Sequence, residues 1–105
     1  MKLKLILTTA GNEPDAEKIA RTLVEEKLAA CVNVVPLAFS VYRWKGRIEK
    51  DPELLLVIKT ADDRVAELKA RLKAVHPYET PEIVELAAES VSDAYLAWAV
   101  ESTRK

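Results

Sequence analysis

Residues 31–58 read CVNVVPLAFSVYRWKGRIEKDPELLLVI. This stretch decides the fold. From Cys31 to Trp44 most residues are β-branched or aromatic, which is the composition of a strand. Phe39 and Val41 fall on one side of the pleat, Ser40, Tyr42 and Trp44 on the other. The spacing predicts one unusually long strand, bent at Pro36. A turn at Lys45, Gly46 and Arg47 then leads into a second strand ending in Leu54, Leu55, Leu56, Val57 and Ile58. A long hairpin therefore occupies the middle of the chain.

Upstream, Leu3 to Thr9 has strand character and stops at Ala10, Gly11 and Asn12. Asn12 is a helix cap and Pro14 fits a first turn. Ala16, Ile19, Ala20, Leu23, Val24 and Leu28 recur at helical spacing. Downstream, Thr60 followed by Asp63 resembles a capping box. Val65, Leu68, Leu72 and Val75 then mark a helix that Pro77 ends. Glu82 to Glu89 reads as a last strand, and Ser92 caps a closing helix. The order βαββαβ plus a C-terminal helix is that of an α+β, ferredoxin-like antiparallel sheet with two helices on one face.

That arrangement leaves the other sheet face open, and an uncovered apolar face marks an interaction surface. The closing helix points the same way. Residues 94–100, AYLAWAV, are apolar all round, so the helix is expected to be buried. A chain of 105 residues, read as a single domain over 1–105, cannot surround it alone. Self-association with closed cyclic symmetry is the expectation, although periodicity does not distinguish a dimer from a trimer.

Composition narrows the function. Sixteen basic and 17 acidic residues give a net charge of -1, which offers no sequence-independent attraction to nucleic acid or anionic membranes. The first strand carries no aromatic residue with which an RNA-recognition motif would stack bases. Cys31, the sole cysteine, cannot form an intrachain disulfide, and no long apolar run marks a leader or membrane span. The expected location is the cytoplasm. Gln is absent and Glu, Lys and Arg are plentiful, a balance that resembles thermophile proteins. No catalytic triad, Gly-rich phosphate loop, HExxH or CxxC spacing is present, so no enzymatic activity and no required cofactor are expected.

Four motifs run in order along nearly the whole chain. They are LAACVN at 28–33, SVYRWKG at 40–46, HPYETPE at 76–82 and YLAW at 95–98. Together they resemble the CutA divalent-cation-tolerance family. The resemblance implies a ferredoxin-like fold in a tight homotrimer, similar in shape to the PII signalling proteins, with the long hairpin reaching a neighbouring subunit. It also implies a role in copper or general divalent-metal tolerance, with copper binding attributed to some members.

His76 is the only histidine, and an imidazole suits Cu²⁺ or Zn²⁺. Within one chain it could recruit only Cys31, Glu79 or Glu82, and distant Cys31 has no ligand-type spacing to it. The bland alternatives are a His76 that bonds a nearby backbone carbonyl, a buried inert Cys31, and solvated Glu79 and Glu82. Some copper-linked relatives carry a second histidine where Val75 stands and a cysteine at the position of Thr8. Tyr42, Trp44, Tyr78, Tyr95 and Trp98 are interface or core anchors, or a stacking surface for a small ligand. A seam pocket built from Tyr42 or Trp44 of one chain and residues 76–82 of another is the expected functional location. Two classes remain: a direct binder of Cu²⁺ or Zn²⁺ through His76, Cys31 and Glu79, and a trimeric PII-like regulatory or scaffolding module that takes a small ligand or partner protein.

Overall fold

The computed structural model describes residues 1–105. Strands β1 (Leu3–Ala10), β2 (Cys31–Pro36), β5 (Leu54–Ala61) and β6 (Val84–Ala87) form one antiparallel sheet in the order β2-β5-β1-β6. Helices α1 (Glu13–Glu25) and α2 (Val65–Val75) cover one face, and α3 (Asp93–Ser102) closes the chain. This is the α+β, ferredoxin-like order expected from the sequence.

The long hairpin is in two tiers, which corrects the single long strand expected over residues 31–44. It breaks at residues 37–39 and again at 52–53. Beyond the breaks a separate two-stranded ribbon is formed by β3 (Ser40–Trp44) and β4 (Arg47–Asp51). Pro36 stands just before the first break and Pro52 within the second, and neither can donate to a ladder, so pairing lapses on both strands together. One bond bridges the lapse, from Leu37 N–H to the Glu53 carbonyl at 3.0 Å. The ribbon ends in a two-residue turn, with Lys45 at φ 49° and Gly46 at φ 79°, the left-handed pair that matches strand twist. Because the ribbon projects, the chain extends 44 × 25 × 21 Å. Its radius of gyration is 14.2 Å, against about 13 Å for a compact chain of this length.

Register divides the sheet residues cleanly between faces. Ile6, Thr8, Ala10, Leu56, Ile58 and Thr60 point to the helix side and are fully buried, packing with Ile19, Leu23, Leu68 and Leu72. Each of the isoleucines and leucines among them contributes about 1.5–3 kcal/mol by leaving water. The alternate residues Leu5, Leu7, Leu55 and Val57 lie on the opposite face and are half-buried, while Val35, Val84 and Leu86 there are exposed.

The helix ends follow local chemistry. Asn12 Oδ1 accepts from Asp15 N–H at 2.9 Å, and Pro14 sits in the first turn of α1. Lys27 ends α1 at φ 59°, with Leu28 N–H reaching back to the Leu23 carbonyl at 2.9 Å. The capping box expected at Thr60 and Asp63 is absent. Thr60 belongs to β5 and gives its hydroxyl to the Leu28 carbonyl at 2.6 Å, and Asp63 lies in a short 3-10 turn where Arg104 grips its carboxylate at 2.6 and 2.7 Å. The last strand spans four residues, fewer than the eight expected over 82–89. Ser92 does cap α3, accepting from Tyr95 N–H at 3.3 Å.

α3 is not surrounded by its own chain, as expected: only Ala99 of this helix is buried, against Leu3 and Ala30. Trp98 remains 45% exposed. An apolar helix seated at the end of an open sheet face has too little chain around it to be enclosed.

Candidate site at the root of the ribbon

The hinge between sheet and ribbon collects the polar side chains. Gly11 follows β1, Glu53 lies in the break before β5, and His76 to Tyr78 follow α2. Pro77 forces extended backbone at His76, whose φ is -73° and ψ 132°, and so turns the ring back under the sheet. Tyr78 N–H donates to His76 Nδ1 at 3.1 Å, so Nδ1 is the unprotonated nitrogen. Nε2–H then donates to the Thr9 carbonyl at 2.8 Å. The two rings lie 4.8 Å apart. His76 is 7% exposed and both its nitrogens are occupied, so a metal could ligate it only by displacing one of these bonds.

Tyr78 donates its hydroxyl to Glu53 Oε2 at 2.8 Å. A Cβ on Gly11 would stand 3.2 Å from that hydroxyl oxygen, so glycine makes the approach possible. Tyr42 donates its hydroxyl to Asp51 on the neighbouring strand. That bond pushes the Tyr42 phenol up to about 12, with desolvation and the Asp51, Glu49 and Glu53 charges adding. Burial, then the Glu53 bond, raises Tyr78 further still. Asp51 and Glu53 stand two residues apart, so the two tyrosine bonds lie at the same end of the ribbon.

The other sequence candidates are dispersed. Cys31 opens the edge strand β2 and is half-buried rather than enclosed, because β2 has a neighbour on one side only. Its Sγ stands 3.9 Å from Asn33 Oδ1. Glu79 and Glu82 are exposed and form no ion pair. His76, Cys31 and Glu79 are therefore not brought together, and no three His, Cys, Asp or Glu side chains of one chain are grouped to hold a metal ion. Trp44 stands on the ribbon opposite Arg47, while Tyr95 and Trp98 pair on α3 with ring centroids 5.4 Å apart. Two shallow grooves, one between α1 and β2 and one along α3, lie away from this root.

Sequence reasoning missed Asp51 and Glu53, which hold the two tyrosines. The signal was the Asp-Pro-Glu run at 51–53, three turn-type or charged residues interrupting a strand pair. No helix of the chain is long and apolar enough to cross a membrane.

Comparison with known proteins agrees with this geometry. The family model for the CutA1 divalent ion tolerance protein matches residues 4–102. A divalent-cation tolerance protein CutA from Thermus thermophilus is 48% identical over 100 residues, covering 95% of this chain and 97% of that protein. A CutA homolog from Xenopus laevis is 47% identical over 91% of this chain, which spans only 64% of that relative's length. The crystal structure of the divalent ion tolerance protein CutA1 from Ehrlichia chaffeensis superposes with a TM-score of 0.94 at 33% identity, covering 100% of this chain and 99% of that one.

Proposed function

The chain belongs to the CutA1 divalent ion tolerance family, and from that premise we propose that it is a homotrimer acting at the seams between its subunits. It is read as one domain over residues 1–105, without catalytic activity, working in the cytoplasm. In this reading its part in metal tolerance is regulatory: a small ligand or partner protein binds beside the ribbon root, and no ion is held by His76, Cys31 and Glu79.

The observation that carries the proposal is the open sheet face. Leu5, Leu7, Leu55, Val57, Val84 and Leu86 lie on one side with no layer of this chain over most of them. Apolar surface left in water beside a buried twin face favours association. The ribbon adds to it, since a two-stranded hairpin is marginal by itself and Val41, Trp44 and Ile48 on it are exposed. Closed cyclic symmetry satisfies both features in every subunit. The occupied nitrogens of His76 favour the regulatory reading over direct ligation.

Light scattering after size exclusion tests the assembly. The expected mass is three times the 11.7 kDa of one subunit, and a single-subunit mass at micromolar concentration would refute it. Calorimetric titration of the purified protein with Cu²⁺ and Zn²⁺ at neutral pH, beside His76→Ala, tests the role. The regulatory reading expects weak binding indifferent to His76. Tight binding at a whole-number ratio, lost in the variant and weakening as pH falls, would replace it with direct metal binding.

A further inference from the structure

We propose that Arg47 of one copy seats against the acidic root of the next, between Asp51 and Glu53, and completes a charge site that a single chain leaves half built. The proposal rests on the assembly put forward above and names what one subunit contributes to its neighbour's ribbon root.

Glu53 is the anomaly. The residue is only 9% exposed, and its one side-chain hydrogen bond is the one Oε2 accepts from Tyr78, while Oε1 has no protein partner and opens to water. No Lys or Arg of the same chain comes within ion-pair distance of Glu53, Asp51 or Glu49. Carboxylates are almost never so enclosed unless paired. The root therefore offers an open oxygen of a largely covered carboxylate, a second carboxylate on Asp51 and two tyrosine hydroxyls, with no cation of the same chain beside them.

The ribbon supplies the complementary charge at its other end. Register places Ser40 with Asp51, Tyr42 with Glu49 and Trp44 with Arg47 on one face, so that face runs from acidic at the root to basic at the tip. Four cations belong to the ribbon, and three are otherwise disposed. Lys45 lies over the Trp44 ring at 5.6 Å, Lys50 lies over Phe39 at 4.4 Å, and Arg43 shares the opposite face with Ile48. Arg47 alone stands on the acidic root's face with neither a carboxylate nor a ring beneath it. It is four residues up β4 from Asp51, about 13 Å of extended strand, so its own root is beyond reach. A guanidinium presents donors on two edges and can serve two carboxylates at once, which an ammonium does less well. A tip that fits another copy's root is a head-to-tail contact, the kind that closes into a ring.

Subunit exchange between unlabelled and ¹⁵N-labelled protein, followed by native mass spectrometry, tests this. Arg47→Glu should exchange at least about tenfold faster than wild type, or run as smaller species, with unchanged far-ultraviolet circular dichroism. Asp51→Arg alone should do the same. The swap Arg47→Glu with Asp51→Arg should return exchange to within about threefold of wild type, because the reversed charges meet again only if these residues touch across copies. A second measurement needs no charge reversal: raising NaCl from about 0.05 to about 1 M should speed wild-type exchange and leave Arg47→Gln unaffected. A trimer whose exchange is the same in wild type and Arg47→Glu, and equally indifferent to salt, would overturn this contact while leaving the assembly intact. A wild-type monomer would overturn both.

Discussion

Leu55 and Leu56 are neighbours in one strand, identical in chemistry, and they live in different solvents. Leu56 points to the helix face and is fully buried, whereas Leu55 points to the open face and is only half-covered. The same contrast runs across the whole sheet, with Ile6 against Leu5 and Leu7, and Ile58 against Val57. Both faces carry the composition of a core, yet only one is closed by the chain's own helices. The difference teaches that apolar composition alone does not decide burial here, since the layer packed over a face does.

Several experiments would break or sharpen that contrast. The largest effect is expected from Leu86→Arg, which sets a charge in the open face. Burying it unpaired would cost about 3–5 kcal/mol per seam, so light scattering should report single subunits while circular dichroism keeps the αβ signature. Unfolding along with dissociation would mean that the open face is needed for the fold itself. Next, Leu56→Ala should lower stability by about 2–5 kcal/mol in urea titrations at any protein concentration. Leu55→Ala should show a loss that shrinks as the protein is diluted toward the monomer, and equal, concentration-independent losses would erase the distinction between faces.

Smaller effects belong to the ribbon root. Tyr78→Phe removes the bond to Glu53 and should cost about 1–3 kcal/mol, since it leaves an enclosed carboxylate with no donor. Hydrogen exchange should show the loss concentrated at residues 37–53, and a loss spread evenly over the sheet would argue against a local tether. The slightest effect is alkaline. Tyr42 and Tyr78 both hold their protons more tightly folded than unfolded, so their contribution is complete below about pH 10, the ordinary tyrosine value, and fades as pH rises. For Tyr42 the fading is centred on the approach to about 12. The Tyr42→Phe, Tyr78→Phe double variant should lose less stability than wild type over pH 10 to 12 in parallel denaturant melts, and matching slopes would remove the tyrosines from the account.

The acid side offers a control in another part of the molecule. Lys69 and Lys4 hold Glu85 below its ordinary value, as Arg104 holds Asp63 and Arg71 holds Glu26. Their contributions are present above the unfolded carboxylate range and fade as pH falls through it and below. These pairs sit on the helix side and at the chain's end, away from the tyrosine bonds of the ribbon root.

Much of this was legible in the residues. The strand at Leu3, the helix from Asn12 and the last helix from Ser92 all follow from periodicity and caps, because those signals are local. Legibility ended where partners are far apart in the chain. Thr60 has the residue type of a cap, but its hydroxyl is used 32 positions away at Leu28. The break in the long hairpin needed Pro36, which pairs with Leu54, and Pro52, two residues before Leu54, to be read together, which neither shows by itself. The same holds for the site, where Tyr78 and Glu53 are 25 residues apart and joined only by the fold. His76 was readable as a carbonyl-bonded histidine at a helix end, while its second bond, from Tyr78 N–H, depends on the turn at Pro77.

The two-residue turn at Lys45 and Gly46 makes the ribbon a ruler with coarse markings. With both φ angles positive the turn fixes the register, so the ribbon can lengthen or shorten only by residue pairs, one on each strand. Each pair adds about 3.3 Å of reach, and an odd step would also turn Trp44 and Arg47 to the opposite side relative to Tyr42. Reach that keeps the same residues on the same side therefore changes in steps of about 6.6 Å, two pairs at a time. A redesigned ribbon one pair longer would present the opposite side at its tip, and one two pairs longer would present the same side further out.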